Sequence, residues 1–484
     1  MPLSKQSNLA AEKQAEFTQA RRKYWDEYVS EYSRWDGLRA GYTKRLQQVF
    51  GFATPPGMRV LELGCGAGDL LAAMRPSYGV GIDFSPNAVS MAKSRHPSLR
   101  FILAEAHEFE LNETFDYIIF SDLVNDAWDV QRLLQNVARH CHSGTKIIFS
   151  FYSHLWNVPR RIGELFGLAK PQLQQNWLTV DDVSNLLYLA NFDVVRHSHE
   201  VLCPFKIPLI APLLNKFAVR LWPFSQAALS HVLIARLSPA IPSTPEPIVT
   251  VVVAARNEEG NVPDIFSRVP EIGGGTELIF VEGNSKDDTY GAIEREMAKY
   301  PGRNVKLFKQ PGKGKGDAVR TGFAAATGEV LMILDADLTM PPEDLPLYYE
   351  AWRSGKAEFV NGVRLIYPME SKAMKFFNLI GNKFFSLAFS WLLNQTIKDT
   401  LCGTKVLSRK NYEMIAANRH YFGDFDPFGD FDLIFGAAKY NLKIVDLPIR
   451  YKDRVYGETN IQRWRHGVIL LRMVVFAMNK IKFV

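Results

Sequence analysis

Short apolar runs alternate with amphipathic stretches along most of the chain, and this alternation predicts a succession of strands and helices. Strands separated by helices in this way indicate parallel sheets, so the predicted fold class is α/β in both halves. In the first half, the last apolar run is expected to be an edge strand that closes the sheet. The predicted strands span residues 59–63, 79–82, 100–103, 115–120, 146–151 and 231–236 in the first half, and 248–254, 277–281, 305–308 and 329–334 in the second.

Two stretches interrupt this alternation. Residues 10–50 are dense in charged and aromatic residues and predict a helical lead-in that stops at Pro55 and Pro56. Residues 237–247, LSPAIPSTPEP, carry four prolines, which lack an amide donor and fix φ, so we expect an extended linker there. With 484 residues the chain also exceeds what one core usually organises. The predicted domains are 1–236, with the lead-in at 1–55, and 248–484.

The composition excludes several classes of protein. The chain is 47% hydrophobic and 22% charged, which is ordinary for a globular protein. Its four cysteines lie far apart and have no metal-ligand spacing, so neither a disulfide framework nor a zinc site is expected. The N-terminal stretch lacks the apolar centre of a signal peptide, and no apolar run reaches the ~18–20 residues of a spanning helix. We therefore expect a cytoplasmic protein.

Charge is unevenly distributed along the second half. Residues 246–360 hold 13 Lys/Arg against 19 Asp/Glu, a net −6, whereas residues 361–484 hold 19 against 10, a net +9. A basic segment of this size indicates an anionic partner such as a lipid headgroup, a phosphate or a nucleic acid, although a scattered solvated surface gives the same count.

Two basic, apolar stretches lie within this segment, at 375–394 and 464–484. Arg472 would cost ~2.5–3.5 kcal/mol at the centre of a bilayer, which argues against a spanning helix. Helices that lie in the headgroup plane of an anionic membrane fit the pattern better. The alternative is packing against the protein itself or against a second copy in an oligomer.

A glycine-rich turn is the strongest local signal of the first half. In VLELGCGAGDLL, residues 60–71, a strand ends at Leu63 and three alternate glycines precede a helix. Glycine permits positive φ, and the helix N-terminus offers free amide groups to a polar ligand. Asp83 ends the next strand, where a carboxylate can accept both ribose hydroxyls, and Glu105 follows the third strand. The spacing E-x-G-x-G-x-G differs from the dinucleotide-binding G-x-G-x-x-G.

These features together resemble the class I S-adenosylmethionine-dependent methyltransferases over roughly residues 20–236. The resemblance implies a Rossmann-like sheet in which the loop 121–125 faces the reactive methyl and Tyr42 closes over the cofactor. The absence of an NPPY motif argues against DNA-adenine or glutamine methylation and leaves a hydroxyl, amine or carboxylate as acceptor. A dinucleotide-binding domain and a relic fold are the alternatives. The implied cofactor-binding residues are Glu62, Gly64, Gly66, Gly68, Asp83, Glu105, Ala106 and Ser121.

In the second half, a strand runs into Asp335-Ala336-Asp337 within EVLMILDADLTMPPEDL. Alternation places both carboxylates on one side of the strand end. Two like charges this close are costly unless a cation lies between them. A hard divalent ion, Mg²⁺ or Mn²⁺, bound together with a diphosphate accounts for the pair.

The surrounding motifs resemble family 2 inverting glycosyltransferases of the A-type fold, over residues 248 to about 460. KDTLCGTKVLSR at 398–409 and IRYKDRVYGETNI at 449–461 narrow the resemblance to polyprenyl- or dolichyl-phosphate sugar synthases. The implied nucleotide-sugar-binding residues are Asn257, Glu258, Glu282, Lys315 and Asp335. The implied metal ligands are Asp335 and Asp337, and the implied catalytic residues are Asp337, Arg364, Asp432 and Arg454, the two arginines facing phosphates.

The sequence departs from this pattern at three places. Ala254 replaces a common proline, Glu282-Gly283-Asn284 replaces acid-acid-Gly, and Thr339 stands where synthases often supply a glutamine ligand to the metal. These departures leave open the donor and one metal ligand.

The sequence therefore predicts a bifunctional transferase. One half would transfer a sugar from a nucleotide-sugar to a lipid phosphate, and the other would use S-adenosylmethionine to methylate a molecule on the same pathway. In one alternative the first half is a non-catalytic, cofactor-binding scaffold. In another the acceptor is a non-lipid hydroxyl, and Asp432 becomes the catalytic base. A nucleic-acid partner is not expected, because the sequence contains no recognisable RNA-binding module.

Overall fold

The chain divides into two compact units, Met1–Ser238 with Phe483–Val484, and Pro239–Lys482. The computed structural model describes residues 3–30, 32–167, 171–238, 245–364, 366, 376–421, 429, 431–452, 454, 456 and 463–484. Residues 239–244 of the predicted linker lie outside this description, and the functional boundaries drawn from the sequence stay predictions. Of the helices described, none has the length and apolar character needed to cross a membrane.

The first unit opens with two helices and continues as an α/β sheet. Its helices are α1 (Leu3–Ser30), α2 (Tyr32–Ala53), α3 (Asp69–Ala73), α4 (Pro86–Arg95), α5 (Leu123–Asp126), α6 (Val130–Ala138), α7 (Asn157–Leu165), α8 (Val180–Leu189) and α9 (Ile210–Lys216). Its strands are β1 (Arg59–Leu63), β2 (Tyr78–Asp83), β3 (Arg100–Leu103), β4 (Phe115–Ser121), β5 (Cys141–Tyr152), β6 (Phe192–Glu200) and β7 (Ser230–Leu237).

The seven strands run in the order β3-β2-β1-β4-β5-β7-β6. All neighbours are parallel except β7, which pairs antiparallel with both β5 and β6. Alternation along β1 sends Leu61 and Leu63 into the core on one face of the sheet and Val60 into the core on the other. Because both faces are covered, the strands read as nearly continuous apolar runs.

One prediction about this sheet is wrong. Residues 231–236 do form a strand, but β7 lies inside the sheet, and the edge is β6. The sequence of β6, FDVVRHSHE, mixes charged, histidine and apolar residues. An edge strand with one partner tolerates such polar positions, so its periodicity was too weak to predict it.

The second unit is also an α/β sheet. Its strands are β8 (Val249–Ala255), β9 (Thr276–Glu282), β10 (Val305–Lys309), β11 (Val330–Asp335), β12 (Phe359–Val363), β13 (Lys405–Ser408) and β14 (Ile444–Pro448). Its helices are α10 (Val262–Arg268), α11 (Thr289–Lys299), α12 (Lys315–Ala325), α13 (Leu345–Arg353), α14 (Phe376–Leu393), α15 (Arg409–Ala417), α16 (Phe431–Lys439) and α17 (Arg463–Ala477), the last followed by a π-helical turn, Met478–Lys482.

The strand order of this sheet is β10-β9-β8-β11-β13-β12-β14, with β13 antiparallel to β11 and β12. The four predicted strands correspond to β8 to β11, which are mutually parallel. Parallel strands end at one edge of a sheet, so the loops that follow β8, β9 and β11 converge there.

Candidate functional site

A cavity of about 240 Å³ opens in the first unit, close to the lower end of the ~300–1,000 Å³ range of small-molecule pockets. It lies where the parallel strands end, and most of the residues predicted to bind the cofactor line it. These are Glu62, Gly64, Gly66, Asp83, Glu105, Ala106 and Ser121.

The glycines of this turn have two roles: some line the cavity, and one allows close packing. Gly64 and Gly66 line the cavity at φ of 68° and 50°, and a Cβ on Gly66 would meet nothing within 4 Å. Gly68, also predicted to bind, is not among the lining residues. At φ 78° it precedes α3, and a Cβ there would come within 2.7 Å of the Phe101 ring. Gly68 therefore serves packing at this turn.

Asp83 is held rigidly at the end of β2. One carboxylate oxygen accepts the Gly66 amide and the other accepts the Ser85 amide, each at 2.9 Å. Burial, together with the nearby acids Asp26 and Glu105, raises the pKa of Asp83 to about 6. Each oxygen retains a free lone-pair direction, so the group can still accept hydrogen bonds from a ligand.

Glu62 lies deeper in the same cavity. Its carboxylate accepts the Leu71 amide at 3.0 Å. Burial raises the pKa of Glu62 well above its ordinary value, and the neighbouring charges of Asp83 and Asp69 raise it further. A desolvated acid beside other acids is stabilised in its charged form by a cation. The carboxylates of Glu62 and Asp83 therefore suit a ligand that carries positive charge and hydroxyl groups.

The loop after β3 carries Glu105 and His107. The carboxylate of Glu105 accepts a hydrogen bond from Nδ1 of His107 at 2.8 Å, while Nε2 of His107 accepts the Asp129 amide at 3.3 Å. The second contact fixes the tautomer, because the Asp129 amide can only donate. Glu105 is thereby oriented beside Ala106 at the cavity wall.

The helical lead-in supplies Tyr42, which the resemblance placed over the cofactor, and further cavity residues that the sequence did not assign. Tyr42 is buried and donates to both carboxylate oxygens of Asp122, at 2.7 and 2.8 Å. Ser150 donates to the same carboxylate at 2.8 Å, and Asp122 has a φ of 59°. A positive φ in a non-glycine residue is costly and is often found at functional sites. Arg21 and Trp25 of the lead-in also line the cavity, and their only sequence signal was its charged, aromatic character. Trp128, which follows α5, lines the cavity as well and had no signal in the sequence.

In the second unit, the register of three strands brings the predicted acids together. Ala254 of β8 pairs with Asp335 of β11, and Ala255 pairs with Glu282 of β9. The carboxyl ends of β9, β8 and β11 are therefore neighbours, and Glu258 follows β8 directly.

Asp335 meets Lys315, whose ammonium lies 2.5 Å from the carboxylate. Burial acts to raise the pKa of Asp335, but Lys315 outweighs it and holds the pKa below its ordinary value. Gly403, in the DTLCGTK segment, lies against this pair, and a Cβ there would collide with both charged groups. The sequence flagged that segment without giving Gly403 a role.

Arg454 links two of the acidic loops. One guanidinium nitrogen lies 2.6 Å from Asp337, and another lies 3.3 Å from Glu258. The Thr339 hydroxyl donates to the other oxygen of Asp337 at 2.8 Å. Burial raises the pKa of Glu258 to about 7, although Arg454 lowers it. Arg454 lies 196 positions from Glu258 and 117 positions from Asp337 in the sequence, so only the fold brings the three together.

Asn257 and Glu282 order the loops after β8 and β9. The side-chain oxygen of Asn257 accepts the Lys286 amide at 2.7 Å, and Glu282 accepts the Ser285 amide at 2.5 Å. The Asn257 amide donates in turn to the Ser285 hydroxyl at 3.0 Å. These contacts join the two loops into one wall of the site.

Arg364 is engaged elsewhere. Its guanidinium forms a buried bidentate pair with Asp399, at 2.7 and 2.8 Å. Burial acts to lower the pKa of Arg364, but Asp399 raises it well above its ordinary value. The sequence predicted that the guanidinium of Arg364 faces a phosphate. In the structure it binds Asp399 and so fixes the DTLCGTK segment to the end of β12.

Asp432 begins α16 and is almost fully buried. Its carboxylate accepts a hydrogen bond from Arg419 at 3.2 Å and lies 3.9 Å from Arg320. Burial raises the pKa of Asp432 despite both arginines. Gly429, three residues earlier, approaches the backbone of Gly316 so closely that a Cβ would collide with it. Asp432 therefore lies close to α12, whose first residue is Lys315.

Two family models match the chain. "Methyltransferase domain" matches residues 34–197, and "Glycosyl transferase family 2" matches residues 250–415. The first range contains the cavity turn with Glu62 and Asp83, and the second contains Glu258, Asp335 and Asp337.

Curated relatives and solved structures are more distant. A dolichol-phosphate mannosyltransferase of Pyrococcus furiosus is 28% identical over 220 residues, 44% of this chain and 59% of that protein. A dolichyl-phosphate hexose transferase of Haloferax volcanii is 26% identical, covering 46% of this chain and 91% of that protein. The structure of an S-adenosylmethionine-dependent methyltransferase of Thermotoga maritima covers 44% of this chain and 97% of its own at 16% identity, with a TM-score of 0.36.

The two-domain α/β fold class predicted from the sequence is confirmed, and both halves match transferase families. The chain is an enzyme that joins a methyltransferase domain to a family 2 glycosyltransferase domain.

Proposed function

We propose that the chain transfers a sugar from a nucleotide-sugar to a polyprenyl-phosphate-type lipid and methylates a product or intermediate of the same pathway with S-adenosylmethionine. The contact of Arg454 with Asp337 and Glu258, beside the pair of Lys315 and Asp335, carries this proposal. Two cations and two strand-end carboxylates thus lie together, and these four groups suit a diphosphate that binds with a metal ion.

The donor would lie across the edge formed by β9, β8 and β11. Asn257, Glu258 and Glu282 would bind the nucleoside, since their loops form one wall. Asp335 and Asp337 offer the hard oxygen ligands that Mg²⁺ or Mn²⁺ prefers, and such an ion would supply positive charge to the leaving diphosphate. Lys315 and Arg454 would then bind phosphate oxygens.

A lipid phosphate is the acceptor that best fits the remaining residues. The relatives from Pyrococcus and Haloferax are named for transfer involving dolichyl phosphate. A phosphate monoester is anionic near neutral pH and needs no strong general base to attack the anomeric carbon. This agrees with Asp432, which is engaged by Arg419 and Arg320 and would orient the sugar or acceptor.

In the first unit, S-adenosylmethionine fits the donor set of the cavity. Its sulfonium supplies an activated methyl group, and the surrounding acids Glu62 and Asp83 favour a cation. Asp83 would accept the ribose hydroxyls, and Tyr42 would hold Asp122 beside the methyl acceptor. The acceptor would be a hydroxyl, amine or carboxylate, because methyl transfer depends chiefly on alignment.

The second unit would meet the cytoplasmic face of an anionic membrane as a peripheral protein. Its helices α14 and α17 pack together and leave Phe384, Leu387, Val468, Leu471 and Val475 exposed. Basic residues on α17 and the turn after it, such as Arg472 and Lys480, each contribute ~1 kcal/mol near anionic lipid.

The test combines cells and purified enzyme. Mass spectrometry of lipid-linked sugars should show a glycosylated, methylated lipid that disappears with the gene. The purified chain should transfer sugar from a nucleotide-sugar to polyprenyl phosphate, stop in EDTA, and recover with Mg²⁺ or Mn²⁺. Transfer to a soluble alcohol but not to polyprenyl phosphate would refute the lipid acceptor. Cofactor binding without methyl transfer to any lipid-linked product would reduce the first unit to a scaffold.

A further inference from the structure

Three histidines cluster on the edge of the first sheet. His197 and His199 are two positions apart on β6, so both side chains project from the same face. His231 of β7 pairs directly with His199 across the strands. One ring nitrogen from each of the three residues lies within 4.8 Å of the other two.

The spacing of these nitrogens is close to that of a metal site. Nε2 of His197 and Nδ1 of His231 are 3.2 Å apart. In a tetrahedral zinc site with Zn–N distances of ~2.0–2.1 Å, neighbouring nitrogens are about 3.3 Å apart. The other two nitrogen pairs lie within 4.8 Å, so a bound ion would require side-chain rotation to close them by up to about 1.5 Å on a fixed strand backbone.

The chemistry of the cluster selects the class of ion. All three ligands are imidazoles, which suit zinc and its transition-metal neighbours, whereas magnesium prefers oxygen. Glu200 does not compete as a ligand, because it is buried between Arg45 and Arg220.

We propose that His197, His199 and His231 form a binding site for a divalent transition-metal ion of the zinc class, with three protein ligands and one open position. Three ligands with an open position are typical of zinc sites that bind water or substrate. His231 pairs with Phe151, and the next residue on β5, Tyr152, lines the cofactor cavity. The site therefore lies at the same end of the sheet as the proposed methyl-transfer cavity.

This site escaped prediction because its ligands are not local. His231 follows His199 by 32 positions in the chain, and the sequence analysis expected no zinc site from the spacing of cysteines and histidines. Antiparallel pairing of β6 with β7, itself missed, creates the cluster.

The experiment uses the untagged full chain in an Asp337→Asn background, which removes the other predicted metal site. Zinc affinity is measured by competition with a chromogenic chelator, and Co²⁺ is added as a spectroscopic probe. We expect one zinc per chain and the intense visible bands of tetrahedral Co²⁺. His199→Ala should weaken zinc binding by at least ~10²-fold. His154→Ala, an exposed histidine of the same unit, should leave binding unchanged.

Folding is checked by the affinity of each variant for S-adenosylhomocysteine and by thermal melting. His199→Gln provides a second, milder variant should His199→Ala melt early. Absence of zinc binding, or equal binding by the His199 and His154 variants, would overturn the site. Weak Co²⁺ bands typical of octahedral oxygen ligands would do the same.

A separate observation concerns the exposed surface of the first unit. Large apolar side chains stand in solvent on two segments, around α7 and from 205 to 224. Leu165 is 85% exposed, Phe166 75% and Trp222 81%. The segments are neighbours, since the indole nitrogen of Trp156 donates to the Ala227 carbonyl at 2.9 Å. An exposed apolar surface of this extent marks an interaction site.

The charge around this surface identifies its partner. Among the described residues of 154–167 and 201–228, the exposed cations are Arg161, Lys206 and Lys216, while Arg160 pairs with Glu164 and Arg220 pairs with Glu200. Apolar side chains, an exposed tryptophan and a net positive charge are the features of a surface that inserts into anionic lipid. We infer that this face of the methyltransferase unit docks on an anionic bilayer.

This second inference deepens the proposed function, because a methyltransferase unit on a membrane would act on a lipid-borne acceptor. Hydrogen exchange of the full chain, with and without phosphatidylglycerol vesicles, tests it segment by segment. Peptides covering 155–166 and 205–224 should gain protection with phosphatidylglycerol and not with phosphatidylcholine. Trp222→Glu should remove that protection, whereas Tyr188→Glu, 75% exposed on α8, should not.

Protection confined to α14 and α17 would refute this docking face and leave the proposed lipid acceptor standing. Protection that grows with protein concentration in the absence of vesicles would instead assign the face to a second copy of the chain. Sugar transfer to polyprenyl phosphate, measured on the same samples, reports on the proposed function independently.

Discussion

The two candidate sites stand at the same place in their sheets, where parallel strands end, but they hold their carboxylates in opposite surroundings. In the first unit Glu62 and Asp83 are buried, and the charges that act on them include other acids, so both pKa values are raised. In the second unit Asp335 and Asp337 each meet a cation, Lys315 at 2.5 Å and Arg454 at 2.6 Å.

This difference indicates the charge of each ligand. A buried acid without a cation is stabilised by a ligand that brings positive charge, which S-adenosylmethionine does. Acids already paired with Lys315 and Arg454 form an electrically mixed surface, which can bind a diphosphate and a metal ion together. The same position in an α/β sheet thus serves two chemistries, and local charge distinguishes them.

The largest expected effect comes from removing a strand-end carboxylate in the second unit. Asp337→Asn should lower sugar transfer by ~10²–10³-fold, because it removes a proposed metal ligand worth several kcal/mol. Transfer rates with Mg²⁺ or Mn²⁺ measure the effect, and added metal should not restore them. Asp264→Asn, an exposed acid on α10, is the control. A normal rate in Asp337→Asn, or full wild-type activity in EDTA, would contradict the metal site.

Arg454 tests whether the linking cation binds phosphate. Arg454→Ala should cost about 1.5–3 kcal/mol, or one to two decades in sugar transfer, since a charge-assisted contact is lost. Arg454→Lys should recover part of the rate because the charge remains while the fork does not. Arg268→Ala removes a surface cation paired with Glu343 and should have little effect. If Arg454→Ala matches this control, Arg454 serves only to pair Asp337 and Glu258.

The sequence predicted the core strands well because their signal is strong. Most of the strands that it found, such as β1, β4, β8, β9 and β11, are apolar runs buried on both faces, whereas the edge strands β3 and β10 are only partly buried. It missed β6, β12, β13 and β14, which are short or carry polar residues. Their pairing depends on partners distant in the chain, and a local pattern does not contain that information.

For the sites, the sequence found the residues that follow strands and missed those that arrive from elsewhere. Asp83 and Asp335 were visible because a strand ends at each. The partner of Arg364 was not, because only the fold brings Asp399 against it. The resemblance placed Tyr42 over the cofactor, but its contact with Asp122, 80 positions away, is created by the fold alone.

In the first unit, Asp83→Asn should weaken S-adenosylmethionine by about 10- to 10²-fold, since charge-assisted hydrogen bonds to a ligand contribute about 1.5–3 kcal/mol. Isothermal titration calorimetry measures the loss. Asp181→Asn, an exposed acid on α8, should bind as the wild type does. Sugar transfer by Asp83→Asn should also stay normal, which would show that the second unit is intact and the two activities are separable. Unchanged affinity would remove Asp83 from the ribose site.

The smallest effect is a pH dependence that the second unit should not share. Burial raises the pKa of Asp83 to about 6, so the free protein carries a proton there below that pH. A cationic ligand favours the ionised form, and binding below pH 6 must therefore release the proton. Affinity should fall up to tenfold for each pH unit below about 6 and level off above it.

Calorimetry at pH 5, 6 and 8, in buffers of different ionisation enthalpy, measures both the affinity and the proton released. Asp83→Asn should flatten the profile, and Glu62→Gln separates the contribution of the second buried acid, whose pKa is also raised. Equal affinity at pH 5 and pH 8 would mean that these carboxylates do not sense the charge of the ligand, and the contrast between the two sites would fail.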